Sequence, residues 1–104
     1  MVPETLTLPS SLSIRGIAAV HESLLDALKT NKAVTIDIPS DAQTDLSFIQ
    51  LIEASRVYAR IEGKYITLIK PASQSLLDTL RRGGFLNEMD EASRLFWLHG
   101  KEIQ

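Results

Sequence analysis

Two short β-branched runs, each stopped by a proline, flank an amphipathic stretch of about sixteen residues, and that arrangement leaves few ways to fold. The first run, Ala33 to Ile38, ends at Pro39; the second, Tyr65 to Ile69, ends at Lys70-Pro71. Proline has no N–H to give a sheet ladder, so both runs read as buried strands with defined ends. Between them, from about Leu46 to Ile61, Phe48, Leu51, Ile52, Ser55 and Tyr58 recur at helical spacing. Gln50, Glu53, Arg56 and Arg60 make a polar stripe on the same helix, and Gly63 stops it. A strand, a helix and a second strand in this order demand parallel pairing through a right-handed crossover.

The flanking segments extend the same pattern. Thr5 to Leu8 alternates with period two, and Leu12-Ser13-Ile14, beyond Pro9, is expected to pair back on it as an N-terminal hairpin. Ile17, Val20 with His21, Leu24, Leu25 and Leu28 recur at helical spacing, with Asn31 expected to close that helix in the left-handed conformation. Residues 40–45 form a polar loop rich in capping residues. Ser73 or Ser75 caps a third helix with Leu76, Leu77 and Leu80 inside, ended by Gly83-Gly84. Asp90 caps a last helix in which Ala92, Leu95, Phe96 and His99 share one face; a short strand over Leu95 to Leu98 is the alternative. The predicted order is β-β-α-β-α-β-α-α: an α/β domain spanning 1–104, with 86–104 as a C-terminal helical extension. Its mostly parallel sheet has four to five strands, opens with the hairpin and is covered by three to four helices.

Composition narrows the chemistry. The chain has 104 residues, a formal charge of −2, no cysteine and two histidines. Lack of cysteine excludes a disulfide framework, thiolate zinc sites and cysteine nucleophiles. A near-neutral, slightly acidic balance does not supply the concentrated positive field that nucleic acid binding wants. The first basic residue is Arg15 and the longest apolar run is Ile17 to Val20, so neither a secretory signal nor a membrane span is expected. A cytoplasmic protein follows as the expectation.

No residue pattern supplies an activated nucleophile, so no catalytic residue, metal ligand or cofactor site is expected. His21 reads as a borderline-buried structural residue and His99 as a helix-end residue facing the dipole. Gly83-Gly84 lacks the context of a nucleotide loop and reads as a helix end. Asp41 and Asp45 read as capping or solvated carboxylates, and Arg81-Arg82 as a dipole-matched helix terminus. Helical spacing does not bury Phe96, Trp97 and Leu98 on one face, so Trp97 is expected to be a partly exposed interface anchor or to pack over the sheet edge.

One set of residues resembles a known family. A strand ending Asp37-Ile38-Pro39, a polar loop, and Thr44-Asp45-Leu46-Ser47 opening a helix are followed by Gly63-Lys64 and the strand Tyr65 to Ile69. Leu76-Leu77-Asp78-Thr79-Leu80 then precedes Gly83-Gly84-Phe85-Leu86. In combination these are similar to the STAS domain of anti-sigma-factor antagonists and sulfate transporter tails. The resemblance implies a non-catalytic regulatory module that binds a bacterial signalling kinase, anti-sigma-type or chemotaxis-type, carrying a histidine-kinase ATP-binding fold. It implies partner contacts at Thr44, Asp45, Leu46, Ser47, Gln50, Glu53 and Arg56, with no membrane insertion. The family's phosphoacceptor follows its aspartate directly; here that position is Leu46, which leaves the flanking Ser47 and Thr44 as candidates. Leu46 itself is either an exposed apolar knob or folds under the loop. An alternative partner is the ATPase of a lipid-transporting ABC complex, since small STAS subunits of that type also depart from the serine pattern.

Overall fold

The computed structural model describes residues 4–87 and 89–100. In chain order they form β1 (Glu4–Thr7), β2 (Ser11–Leu12), α1 (Ile17–Thr30), β3 (Ala33–Asp37), β4 (Gln43–Thr44), α2 (Leu46–Ile61), β5 (Tyr65–Leu68), α3 (Gln74–Arg82) and α4 (Glu91–Leu98). Strands β1, β3 and β5 make a parallel sheet in the order β1-β3-β5, with Thr5 opposite Thr35 and Thr35 opposite Thr67. The α/β order and parallel crossovers follow the sequence reading, and α2 has the bounds its periodicity predicts.

The strand pairing near the N-terminus does not. β1 and β2 form no hairpin: β1 pairs parallel with β3, and β2 pairs parallel with β4 as a separate two-residue ladder. The chain crosses from one ladder to the other at Pro9-Ser10, where Leu8 donates its N–H to Asp37 O and Ser10 O accepts from Gln43 N–H. The expected single sheet of four to five strands is therefore divided into three strands and two. β4 lies inside the stretch read as a plain polar loop. A parallel partner satisfies an alternating strand as well as an antiparallel one, and burying Leu8 and Leu12 in the common core favours the distant partners.

Helices α1 and α2 cover one face of the sheet. Val20, Leu24 and Leu28 of α1 and Phe48, Ile49, Ile52, Ser55 and Ala59 of α2 are buried, with Val34, Ile36 and Leu68 beneath them. The other face carries Thr5, Thr35 and Thr67, whose hydroxyls suit a surface reached by water; those of Thr35 and Thr67 lie 3.4 Å apart. α3 packs against α2 and β4, and α4 against β5. Among the described residues no helix is long and apolar enough to cross a membrane.

Helix ends show how local chemistry sets the boundaries. Asn31 ends α1 in extended backbone rather than the expected left-handed conformation, its amide Nδ2 donating to Ala27 O at 3.0 Å. Gly63 leaves α2 at φ +67°, a conformation that costs any residue with a Cβ. Ser73, not Ser75, caps α3 by accepting the Leu76 N–H, and Asp90 caps α4 by accepting the Ser93 N–H at 2.7 Å.

α4 departs most from expectation. Residues Phe96, Trp97 and Leu98 are all buried and form its inner side, while Ala92, Leu95 and His99 are exposed. Three consecutive side chains cover more than half the helix circumference, which one flat neighbour cannot bury. Here the helix end is wedged in: Phe96 and Trp97 meet α2, and Trp97 O accepts from Ala72 N–H beyond β5. Of the two expectations for Trp97, the partly exposed anchor does not hold: the indole is a core residue, in a helix packed beside the end strand β5. His21 is exposed rather than borderline-buried, because Val20, Leu24 and Leu28 take the inner face of α1. Of the expected C-terminal extension, residues 88 and 101–104 lie outside the described residues.

Candidate functional site

The residues singled out by sequence lie along α2, and the structure sorts them into three groups. The first is a knot at the helix start. Asp45 is the N-cap: Oδ1 accepts from the Ser47 N–H at 3.1 Å, the Phe48 N–H at 3.4 Å and the Ser47 hydroxyl, while Oδ2 accepts from Ile14 N–H at 2.9 Å. One carboxylate therefore satisfies two of the free donors of α2 and ties the turn before α1 to them. The Ser47 hydroxyl above all, then the N–H groups of Ile14, Phe48 and Ser47, hold the Asp45 carboxyl below its ordinary value, against an opposing pull from burial.

Thr44 is engaged differently. Its hydroxyl shares a 2.7 Å hydrogen bond with that of Thr79 on α3, and Thr79 is buried. Arg82 donates to the same Thr79 oxygen at 3.3 Å. Thr44 is thereby a strut between β4 and α3.

The second group, Glu53 and Arg56, was read as part of a solvated stripe open to a partner. The structure gives both to α4. Arg56 Nη1 lies 3.1 Å from each Glu53 oxygen and 3.0 Å from Ser93 Oγ, and its guanidinium stands 4.7 Å from the centre of the Phe96 ring. Glu53 Oε1 also accepts from Trp97 Nε1 at 2.8 Å. The Arg56 side chain is only 10% exposed. These charges hold α4 onto α2, an ion pair kept by its extra hydrogen bonds.

The third group faces outward. Leu46 is 46% exposed, and it meets neither sequence reading fully: one side is free, while its Cδ1 rests beside Gly83 at the end of α3. Gln50 is exposed. At 100° per residue, Leu46, Gln50, Ala54, Val57 and Ile61 fall in one narrow arc opposite the buried face. Val57 is 48% and Ile61 74% exposed. Val57 and Ile61 are not among the residues expected from sequence; the signal for them is an apolar i, i+4 pair on the wrong side of an amphipathic helix.

Among the described residues no three His, Asp or Glu side chains gather as a metal site. No family model, no curated protein and no solved structure matches the chain.

Proposed function

We propose that this chain is a non-catalytic regulatory binding module of the STAS-like kind, acting in the cytoplasm, and that it holds its protein partner on the outer face of α2. The observation that carries this reading is the exposed stripe Leu46, Val57, Ile61 on a helix whose opposite face is already full. Exposed aliphatic side chains in a row lose free energy to water and regain it under a partner surface. Gln50 and Ser47 supply polar contacts at its N-terminal end, whereas Glu53 and Arg56 act from behind by fixing α4. The resemblance of Thr44 to Ser47 and their surroundings to STAS domains supports a signalling kinase with a histidine-kinase-type ATP-binding fold as the partner.

Regulation by phosphate within this reading falls on Ser47. The Thr44 hydroxyl is committed to Thr79, while among the described residues the Ser47 hydroxyl bonds only Asp45 and stands in the first turn of α2. A phosphate there removes the hydroxyl from Asp45 and sets two anions side by side, loosening the cap that positions Leu46.

The test is affinity capture from the native cell with the unaltered chain, Val57→Asp, Ile61→Asp and Leu46→Asp. All three sites are exposed, so each variant is expected to keep folding stability to within about 0.5 kcal/mol. Loss of the captured partner in each variant, at unchanged circular dichroism, is the expected result. A partner retained by all three places docking elsewhere. Recovery of a membrane transporter ATPase instead of a kinase replaces the partner with the second one the resemblance implies, on the same face.

A further inference from the structure

The β5 edge of the sheet holds a second feature, independent of the α2 stripe. Among the described residues β5 is an end strand. It pairs with β3 through Tyr65, whose N–H donates to Lys32 O, and Ile69, whose N–H donates to Ile36 O, both at 2.9 Å. Alternate residues of a parallel strand bond to the same neighbour, so Tyr65, Thr67 and Ile69 serve β3, and the main-chain groups of Ile66 and Leu68 point away from the sheet. Leu68 O accepts from His99 Nε2 at 3.0 Å. Among the described residues the N–H and C=O of Ile66 and the N–H of Leu68 make no hydrogen bond outside the β3–β5 pairing, and that pairing turns them away from β3.

α4 overhangs the place where the next strand would run. Between it and β5 lies a groove of about 450 Å³ with Ile66, Thr67 and Leu68 on one side. Its other side is Ala92, Leu95, Phe96 and His99, which lie at i, i+3, i+4, i+7 on one face of α4. That face has a groove before it instead of a core: Leu95 is 65% exposed. Arg56 at the inner wall is neutralised by Glu53, so the groove offers apolar surface and main-chain partners without a net charge.

We propose that this groove binds an extended, uncharged segment of a partner protein, which joins the sheet as a fourth strand parallel to β5. Free N–H and C=O groups at strand spacing are matched by another extended main chain. The direction follows from His99. In a parallel strand the residue opposite Thr67 donates to Ile66 O and accepts from the Leu68 N–H, and the His99 bond to Leu68 O survives. An antiparallel strand needs Leu68 O as well. A second copy of this chain would bring its own β5 to the groove with α4 already packed against it, whereas an isolated extended segment carries no such helix. Residues of the incoming strand that turn toward Ala92, Leu95 and Phe96 must be apolar, and those between them face water beside Thr67.

The probe is a phage-displayed library of short random peptides selected on the intact chain, with amide exchange followed by NMR. In the free protein the Ile66 and Leu68 amides are expected to exchange fast while Thr67 and Ile69 are protected. Selected peptides are expected to alternate apolar residues and to slow exchange at Ile66 and Leu68. N-methylating the peptide residue that serves Ile66 O should weaken binding at least about tenfold. Ala92→Trp fills the groove from an exposed position and should abolish binding, as should Leu95→Arg, while Val57→Asp leaves it intact. The proposal is overturned if no peptide is selected, if selected peptides leave those two amides unprotected, or if both are already protected in the free chain.

Discussion

Replacing Trp97 with alanine is expected to cost about 3–5 kcal/mol of folding stability, the largest loss from any single residue of α4. The indole is fully buried, meets the Phe96 ring edge-on at 5.0 Å and donates to Glu53 at 2.8 Å. Truncation leaves a cavity where α2, α4 and the segment after β5 meet. It also takes one of the donors that hold the Glu53 carboxylate against Arg56. With total stability of a small domain at roughly 5–15 kcal/mol, such a loss brings the chain close to unfolding. Urea denaturation followed by far-ultraviolet circular dichroism measures it. Trp97→Phe keeps most of the volume and should lose about 1–2 kcal/mol. Glu53→Ala should destabilise as well, and less than additively with Trp97→Phe, because the two share one hydrogen bond. A loss below about 1 kcal/mol for Trp97→Ala would mean that α4 is not docked through this residue.

The same cluster shows what local sequence carries and what it does not. Caps at Asp45, Ser73 and Asp90, the stop at Gly63 and the bounds of α2 are all local events, decided by side chains within a few residues. They were legible for that reason. The partners of Glu53 and Arg56 come from Trp97 and Ser93, some forty positions on, and an i, i+3 ion pair looks alike whether water or another helix lies above it. The α4 face of Ala92, Leu95, Phe96 and His99 was found correctly as a face. Its environment was not, because periodicity marks a stripe without saying whether anything covers it.

Strand pairing failed for a related reason. Thr5 to Leu8 alternates, and alternation reports one buried side, not which strand lies alongside. The hairpin expectation rested on nearness along the chain, while the actual choice was made by the long-range ladders of Thr7 opposite Asp37 and Ser11 opposite Gln43. β4, at two residues, spans a single strand period and so shows no repeat to read. Within the candidate site, Gln50 is exposed and Ser47 half-buried, Leu46 falls between its two sequence readings, Thr44 turns inward to Thr79, and Val57 and Ile61 join the outer stripe.

Asp45→Ala is expected to lower stability by about 1–2 kcal/mol, the upper range for a lost N-cap, since the same carboxylate also holds the Ile14 N–H. Asp45→Asn keeps one acceptor oxygen and should cost less at neutral pH. The two differ from the unaltered chain more tellingly in acid. The Asp45 carboxyl is held below its ordinary value in the folded protein, so between that depressed value and about 3.9 the unfolded chain binds more protons than the folded one. Stability from this group is therefore complete above the ordinary carboxylate range and is lost as pH falls through the folded value. Asp90, held low by the Ser93 N–H and hydroxyl, acts with the same sign in the same window. Urea midpoints measured from neutral pH downward should thus fall less steeply in Asp45→Asn than in the unaltered chain, and less steeply again when Asp90→Asn is added. Partner capture by Asp45→Ala should weaken along with the cap, because Leu46 starts the helix that Asp45 anchors. An acid slope unchanged in Asp45→Asn would show that this carboxylate is not bound to the start of α2, and the regulatory route through Ser47 would go with it.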